Sequence, residues 1–399
     1  MSTSNNDARP LAGLCVLEMG QLLAAPFAGM MLGYFGAEVI KIEPPGGDAI
    51  RTWRGMENGT SLWFRSLGRN KRSVVIDLRT EEGRGLARKL AVKSDVLLEN
   101  FRPGTMEAWG LGPDDLFAEA PGLVYARVSG FGQTGPYRSR PGFASVCEAM
   151  AGLRHLTGNE GEPPVRTNLS LGDTVGGLHA MIGVLLALEE RRRSGKGQVV
   201  DVALTESVLN LLESTLPEAE RLGVVRGPSG SGITGIAPSN AYACACGRLV
   251  VIGANTTKLF QALMSVAGRP DLAEDPSLAD NPGRVARAAE IDAAIGAWAR
   301  GLTAAEATSA LVEAGVPVGP VYDARAILDD PHFRARGVIE RADDDGTVVT
   351  KVAPVLGRTP GRTDWVGPDA GAHTAEVLRD RLALTPEVIA ALRARGVIG

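Results

Sequence analysis

The stretch LCVLEMGQLLAAPFAGMMLGYFGAEVIKIE, residues 14–43, indicates the fold class. An apolar run at 14–18 precedes a segment of small and apolar residues at 24–35, and a second apolar run follows at 38–42. This order predicts a strand, a helix that ends at Gly36, and a second strand. Two strands that are joined through a helix usually lie parallel in one sheet.

The same alternation continues through the first half of the chain. Further strands are predicted at 73–77, 95–99, 123–128 and 199–202. A helix is predicted at 80–92, because its first turn is acidic and its last turn is basic, as the helix dipole favours. Strands separated by helices of this length are typical of a parallel sheet with helices on both faces. The sequence therefore predicts an α/β protein with a doubly wound large domain.

A segment rich in Gly, Ser and Pro, RGPSGSGITGIAPS at 226–239, interrupts this pattern and is typical of a linker. The shorter strand and helix patterns beyond it predict a smaller α+β domain, and a chain of this length is more than one core usually supports. The predicted organisation is a large domain over 1–225, a linker with the small domain over 226–330, and a return to the large domain over 331–399.

The composition is that of an ordinary globular enzyme, with 399 residues, 44% hydrophobic and 22% charged. The formal net charge of −4 gives no electrostatic reason to expect nucleic acid or an anionic membrane as a partner. No apolar run reaches the roughly 18 residues that a membrane span needs. The polar first ten residues do not resemble a signal peptide, so we expect a cytoplasmic protein.

The four cysteines are Cys15, Cys147, Cys244 and Cys246. Their spacing does not match a zinc site. We expect all four to be reduced and mostly buried, as is usual in a cytosolic protein. No metal site is predicted.

Asp173 lies in LGDTVGGLHA, residues 171–180, at the start of a long apolar helix pattern. A carboxylate there has two compatible interpretations. It can cap the helix by accepting backbone N–H groups. It can also act as an ionised nucleophile, because the positive end of the helix dipole favours the charged form. In that case the nearby glycines, Gly172, Gly176 and Gly177, would let a substrate approach the backbone.

Seven segments, in the same order as in the family, resemble class III CoA-transferases, a family that includes formyl-CoA transferase and α-methylacyl-CoA racemase. The segments are GQLLAAPFAGMMLGYFGAEVIKIEPPGGD (20–48), RNKRSVVIDLR (69–79), ENFRPGTMEAWGL (99–111), SGFGQTGPY (129–137), LGDTVGGLHA (171–180), SGKGQVVDVAL (194–204) and GVPVGPV (315–321). The resemblance implies a large domain built from both chain ends, a small inserted domain, and an intertwined homodimer of two threaded subunits.

By this resemblance, Asp173 matches the family's catalytic aspartate, and Gln21 matches a glutamine that lies beside it and positions the substrate. The family moves coenzyme A from an acyl-CoA to a carboxylic acid. The aspartate attacks the thioester, and CoA is then held as an aspartyl-CoA thioester until the acceptor takes it. Coenzyme A is a substrate in this scheme, and no permanently bound cofactor is required.

The 3′-phosphate and the pyrophosphate of CoA need converging basic residues. The candidates inside or beside the family segments are Lys41, Arg69, Lys71, Arg72, Arg102 and Arg138. Asn100 and Phe101 match the family's contacts to adenine and pantetheine. Many relatives carry Arg directly after the Ile-Lys-Ile-Glu strand, where this chain has Pro44, so at least one phosphate contact must differ.

For the acyl pocket, the resemblance indicates Phe143, Arg154, Gly253 and Asn255. Residues 140–158 resemble those of relatives that use succinyl-CoA and dicarboxylic acids. We therefore expect a succinyl-CoA donor and a C4–C6 dicarboxylate acceptor, whose distal carboxylate needs a cation. The candidates for that cation are Arg154, Arg166 and Arg51.

Three alternatives stay open. A racemase needs acid/base groups on both faces of the α-carbon, but Phe143 occupies the place of the family's histidine and cannot transfer a proton. A transferase of the formyl-CoA:oxalate type would differ in its acyl substrates. A non-catalytic CoA-binding scaffold would be expected to lack Asp173 or the basic residues, and both are present.

Overall fold

The computed structural model describes residues 9–342 and 345–399. Contacts divide the chain into two compact units. Unit 1 comprises Met1–Leu153, Thr167–Glu213 and Ala335–Gly399, and unit 2 comprises Arg154–Arg166 and Ser214–Arg334. The domain limits expected from the sequence stay predictions. Most of the first ten residues, which we interpret as not being a signal peptide, lie outside the described residues.

Strands occur in both units of the described chain. In chain order they are β1 Cys15–Glu18, β2 Glu38–Glu43, β3 Met56–Glu57, β4 Thr60–Ser61, β5 Lys71–Val75, β6 Val96–Glu99, β7 Val124–Ser129, β8 Val199–Ala203, β9 Ser239–Ala243, β10 Leu249–Gly253, β11 Val318–Pro320, β12 Ile339–Arg341 and β13 Val348–Thr350.

The α-helices follow the same order. They are α1 Ala24–Tyr34, α2 Leu62–Leu67, α3 Glu81–Ala91, α4 Thr105–Ala108, α5 Pro113–Phe117, α6 Ala144–Met150, α7 Leu171–Ser194, α8 Leu204–Leu209, α9 Thr215–Leu222, α10 Thr257–Val266, α11 Pro270–Ala273, α12 Asn281–Ala286, α13 Ala288–Arg300, α14 Ala304–Glu313, α15 Ala324–Asp329, α16 Pro331–Ala335, α17 Thr374–Leu382 and α18 Pro386–Ala394.

A six-stranded parallel sheet forms the centre of unit 1, in the order β5-β2-β1-β6-β7-β8. Its central strands are buried on both faces, and neighbouring side chains alternate between two apolar clusters. In β1, Val16 joins the cluster with α1 and α7, whereas Leu17 joins the cluster with α3, α17 and α18. Val96 and Leu97 of β6 divide in the same way. The predicted α/β class and parallel sheet are confirmed.

Helix α7 is the long apolar helix whose start the sequence indicates at residues 171–180. Among the described residues it is the one helix whose length and composition would suit a membrane span, and half of its most apolar window is buried. Val184 and Ala187 pack in the same cluster as Val16, so α7 is a helix of the protein core.

Close approach of α7 to the start of α1 depends on Gly177. A Cβ atom at this position would lie 2.7 Å from the carbonyl oxygen of Ala24 and 3.0 Å from the ring of Phe27. Its neighbour Gly176 faces Leu204 in the same way, at an even closer contact. These two glycines therefore allow helix packing, and the expectation that they let a substrate approach the backbone is wrong, because both are buried.

Unit 2 contains a three-stranded antiparallel sheet in the order β11-β10-β9. Its apolar core combines Val250 and Ile252 of β10 with Phe260 of α10, Ile295 of α13 and Leu311 of α14. Helices α10, α13 and α14 closely match the helix patterns of the sequence at 257–267, 288–298 and 304–313. The sequence patterns gave no prediction for α9 and α17.

Gly177→Ala should lower the free energy of unfolding by about 1–3 kcal/mol, because the added methyl group has no space against the carbonyl of Ala24. Gly85→Ala is the matched control, since Gly85 is also inside a helix, but a Cβ there meets none of the described atoms within 4 Å. The control should gain up to about 1 kcal/mol from helix propensity. Urea unfolding measures both, and equal effects would contradict the close approach of the helices.

Candidate active site

An open cleft of about 820 Å³ lies at the carboxyl ends of the strands of unit 1. It is lined by residues that are far apart in the chain. Gln21 lies in the loop after β1, and Asn100 and Phe101 lie in the loop after β6. Phe143 directly precedes α6, and Asp173 lies in α7. Ligands usually bind at this edge of a parallel sheet. Five of the predicted site residues therefore line one cleft.

Asp173 is half-buried and is the third residue of α7, which begins at Leu171 after the flanking residue Ser170. It therefore lies in the first turn and is not the N-cap residue itself. The positive end of the helix dipole favours the ionised carboxylate there. The buried side chain of Glu148 accepts a hydrogen bond from the backbone N–H of Gly172, at 3.0 Å, and so fixes the start of the helix beside Asp173.

Cys147 is a second side chain of this region that could act as a nucleophile. It is buried, and its thiol donates to the carbonyl of Gly130, which lines the cleft. Burial, together with the negative charges of Asp173 and Glu148, raises the pKa of Cys147 to about 11. The thiol is therefore protonated at neutral pH, and the carboxylate of Asp173 is the stronger candidate for a nucleophile in the cleft.

Gln21 is held through its backbone by Asn100. The Asn100 side chain accepts from the Gln21 N–H at 2.8 Å and donates to the Gln21 carbonyl oxygen at 2.8 Å. These two hydrogen bonds fix the peptide groups on both sides of the Gln21 Cα atom. The Asn100 side chain thus binds the loop that carries Gln21, a contact that the sequence did not indicate.

A second groove of about 620 Å³ meets the cleft at Gln21 and Phe101. Its walls are largely apolar, and it is lined by Met19, Gln21, Ile42, Glu43, Pro44, Pro45, Ile76, Asp77, Leu78, Arg79, Phe101 and Trp109. The Arg79 side chain is 80% exposed and pairs with Asp77 at 2.8 Å. Sequence reasoning missed Arg79 and Trp109 as site residues, although both lie inside the segments that resemble the family.

Lys41 and Lys71 are not placed to bind a phosphate. Their side chains are 2% and 1% exposed, and both form ion pairs with the buried carboxylate of Glu18, at 3.0 and 2.7 Å. Burial lowers the pKa of Lys71 to about 8, which leaves the ammonium group protonated near neutral pH. The structure corrects the predicted role of these two lysines: they are part of a buried charge cluster beneath the site.

The four predicted arginines lie in different places. Arg69 is buried and donates to the carbonyl of Thr350 at 2.7 Å, and Arg72 pairs with Glu38 near the amino ends of the strands, the edge opposite the cleft. These contacts argue against CoA binding by Arg69 or by Arg72. Arg102 and Arg138 are exposed in the loops that follow β6 and β7, on the same edge as the cleft.

The acyl-pocket residues divide between the two units. Phe143 lines the cleft of unit 1 with its side chain 69% exposed. Arg154, Gly253 and Asn255 belong to unit 2, where Gly253 ends β10 and the carbonyl of Asn255 accepts a hydrogen bond from Arg284. The pocket formed by all four stays a prediction. Among the described residues, no group of three His, Cys, Asp or Glu side chains is placed to hold a metal ion.

Comparison with known proteins identifies the class. Residues 11–374 match CoA-transferase family III. The chain is 47% identical to succinyl-CoA–D-citramalate CoA-transferase of Chloroflexus aurantiacus, over 99% of this chain and 100% of the relative. It is 41% identical to the alpha subunit of succinyl-CoA–L-malate CoA-transferase of the same organism, over 100% of this chain and 95% of the relative.

A solved structure supports the same assignment. The crystal structure of a CaiB/BaiF family protein from Brucella suis is similar, with a TM-score of 0.85 and 32% identity, over 94% of this chain and 99% of that one. The chain therefore belongs to CoA-transferase family III, and the family that the seven segments indicate is confirmed. The protein is a class III CoA-transferase, for which coenzyme A is a substrate.

The cysteines offer a test of the environment of the cleft. Cys15, Cys147 and Cys244 are buried, whereas Cys246 is exposed. Backbone hydrogen bonds lower the pKa of Cys246. At pH 7.5, iodoacetamide should modify Cys246 well before Cys147, which is buried and almost wholly protonated. Peptide mass mapping after brief treatment measures this. Unfolded protein is the control, and rapid modification of Cys147 in the folded enzyme would contradict the described surroundings of Asp173.

Proposed function

We propose that this enzyme transfers CoA from succinyl-CoA to a C4–C6 dicarboxylate, with Asp173 as the covalent carrier. The observation that carries the proposal is the shared cleft, in which Asp173 at the start of α7 faces the same space as Gln21 at the carboxyl edge of the sheet. A carboxylate in the first turn of a helix is favoured in its ionised form, which is the form a nucleophile requires.

The reaction proceeds in four attacks. Asp173 attacks the succinyl thioester, and the C–S bond breaks to give a mixed anhydride and CoA thiolate. The thiolate attacks the aspartyl carbonyl, so succinate leaves with one former oxygen of Asp173. The acceptor carboxylate attacks the aspartyl thioester and expels the thiolate again. The thiolate then attacks the acceptor carbonyl of the new anhydride, which yields the product acyl-CoA and regenerates the Asp173 carboxylate.

Each attack creates an oxyanion, which backbone N–H groups or an amide side chain can stabilise. The Gln21 side chain is the polar group best suited to this role, since it lines the cleft and its backbone is fixed on both sides by Asn100. We assign Gln21 to positioning the reacting carbonyl. No redox or acid/base step is needed, because every leaving group departs as an anion.

The groove that meets the cleft at Gln21 and Phe101 fits the nucleotide end of CoA. Pro44, Leu78 and Trp109 offer apolar surfaces for a flat adenine ring, and Arg79 offers an exposed guanidinium for a phosphate. Arg79 takes a role that the sequence had suggested for Lys41 and Lys71. Arg102 and Arg138 remain further phosphate candidates on this edge.

The substrate assignment rests on the relatives. Those named as D-citramalate and L-malate transferases both use succinyl-CoA with short dicarboxylic acids, as their names state. A racemase is disfavoured, because none of the described residues that line the cleft is a histidine. Phe143 lines the cleft and occupies the place in the sequence where the racemases of the family have a histidine. We also propose a cytoplasmic, intertwined homodimer, as the family resemblance implies. In support of a second subunit, α7 exposes an apolar stripe formed by Leu178, Ile182 and Leu186 that a partner would cover.

Incubation with succinyl-CoA and no acceptor should place CoA on Asp173, because succinate leaves before any acceptor is required. Borohydride should reduce the resulting thioester to an alcohol, and hydroxylamine should convert it to a hydroxamate. Peptide mapping should locate either product within residues 168–177. Asp173→Ala should abolish transfer and carry no adduct, while CoA binding and the circular dichroism spectrum stay close to those of the wild type.

Glu148, a buried carboxylate beside Asp173, is the residue against which the position of the label is checked. Label on Glu148 in place of Asp173 would keep the covalent chemistry but show that Asp173 is the wrong residue. An active wild-type enzyme whose mass stays unchanged after borohydride treatment would contradict a covalent carrier altogether.

The acceptor preference can be measured with a panel of acids and succinyl-CoA as donor. D-citramalate, L-malate and glutarate should react faster than acetate by roughly two orders of magnitude in kcat/KM, because a site that binds a second carboxylate leaves its cation unpaired with a monoacid. Thioester products are followed by mass spectrometry. Preference for the monoacids formate or acetate would contradict the dicarboxylate assignment, and preference for oxalate would contradict the C4–C6 length. Deuterium uptake at the α-carbon in D₂O would revive the racemase alternative.

A further inference from the structure

The loop that carries Gln21 is bound at three consecutive residues by side chains from other parts of unit 1. Lys41 donates to the carbonyl of Gly20 at 2.8 Å. Asn100 binds both backbone groups of Gln21. The carboxylate of Asp48 accepts from the N–H of Leu22, with both oxygens 3.1 Å away. The conformation of this loop is therefore imposed by its surroundings.

The loop needs such support because its backbone is unusual. Leu22 has a φ of +63°, in the left-handed region that residues with a side chain rarely adopt. Backbone outliers of this kind persist only where the surrounding structure determines them, and they are frequent at functional sites. The N–H group that Leu22 donates to Asp48 belongs to the peptide unit between Gln21 and Leu22. The positive φ of Leu22 sets the orientation of that unit.

Asp48 belongs to a cluster of six buried charges, three acidic and three basic, that balance one another. The members are Glu18, Lys41, Glu43, Asp48, Arg51 and Lys71. Lys41 directs its ammonium group at Glu18, Asp48 and the carbonyl of Gly20. Arg51 binds Glu43 with two hydrogen bonds of 2.7 Å. Hydrogen bonds and charge from Arg51 and Lys41 outweigh burial and lower the pKa of Glu43 to about 2.

Stability alone is a weak reason for this cluster. Desolvation of buried charges often cancels their attraction, and apolar residues of similar volume are frequently as stabilising. Buried charges do, however, supply strong hydrogen bonds of fixed direction. In this cluster, two of the six members, Lys41 and Asp48, direct bonds at the loop beside the cleft.

We propose that Asp48 is a positioning residue of the transferase, which sets the place of Gln21 in the cleft by holding the N–H of Leu22 and orienting Lys41. Asp48 is 1% exposed and does not line the cleft, so it acts through the loop and touches no substrate. Asp48 follows β2 on one side of β1, and Asn100, which binds the same loop, follows β6 on the other side. This role rests on the proposed function of Gln21.

Asp48→Asn tests the role with nearly unchanged size. The amide keeps one oxygen for Leu22 but loses the charge that orients Lys41. We expect kcat to fall roughly 10- to 100-fold, since displacement of a catalytic group by about 1 Å has effects of this size. The KM for succinyl-CoA should change little, because the residue does not contact the substrate.

Asp95→Asn is the matched control at the other end of β1. Asp95 also accepts a backbone N–H, from Cys15 at 2.9 Å, and also pairs with a cation, Arg191 at 3.0 Å. The control should keep wild-type kcat even if it loses some stability. A merely structural Asp48 would behave like the control, with unchanged kcat per folded molecule, and that result would overturn the proposal.

A double-mutant cycle with Gln21→Ala gives the decisive comparison. If Asp48 acts through Gln21, Asp48→Asn should lower kcat in the wild-type background and have little further effect in Gln21→Ala. Equal losses in both backgrounds would overturn the positioning role while the role of Gln21 stands. Wild-type kcat in Gln21→Ala alone would overturn both. The covalent label on Asp173 reports separately on the proposed chemistry in every variant.

If Asp48→Asn yields no folded protein, Asn100→Asp tests the premise of the proposal, that fixing this loop sets kcat through Gln21. It keeps the acceptor for the Gln21 N–H but places an oxygen against the Gln21 carbonyl in place of the donor. The same loss of kcat, again dependent on Gln21, would support the proposal. A raised KM for succinyl-CoA with unchanged kcat would show that Asn100 serves as a substrate contact. It would overturn the premise that fixing this loop sets kcat, and with it the role of Asp48.

Discussion

Helix α7 can lie against the beginning of α1 only because residue 177 has no side chain. The carbonyl of Ala24 lies 2.7 Å from the place that a Cβ atom would take. This contact brings the first turn of α7, with Asp173, to the same cleft as the loop that precedes α1, with Gln21. Two residues separated by about 150 positions in the chain thereby share one site, and the chemistry depends on that proximity.

The site combines a covalent intermediate with a rigid support. Covalent storage of CoA on a carboxylate keeps most of the free energy of the thioester, provided that water does not reach the aspartyl intermediate before the acceptor does. Such a site benefits from a fixed loop. The buried charges beneath Gln21, the two hydrogen bonds from Asn100 and the bond between Glu148 and Gly172 all restrict backbone groups around the cleft.

The sequence predicted the sheet well because its strands are short apolar runs separated by helices with clear ends. The helix patterns at 304–313 and 386–394 likewise match α14 and α18. Asp173, Gln21 and Phe101, which are candidate site residues from the sequence, line one cleft. The basic residues were harder, since Lys41 and Lys71 look like surface cations in isolation. A signal was present: charged residues inside strands that are otherwise apolar on both faces, such as Lys41 in β2, need buried partners, and the sequence does not say which.

Oxygen transfer tests the central claim, that Asp173 itself carries CoA, most directly. With an acceptor acid labelled with ¹⁸O in its carboxylates, one turnover should leave one labelled oxygen on the Asp173 side chain, because the acceptor's oxygen bridges the second anhydride and stays with the aspartate. Peptide mass spectrometry should then show an increase of one ¹⁸O in the peptide that contains Asp173. Label found only in the product and the unused acceptor, with none in that peptide, would contradict the account.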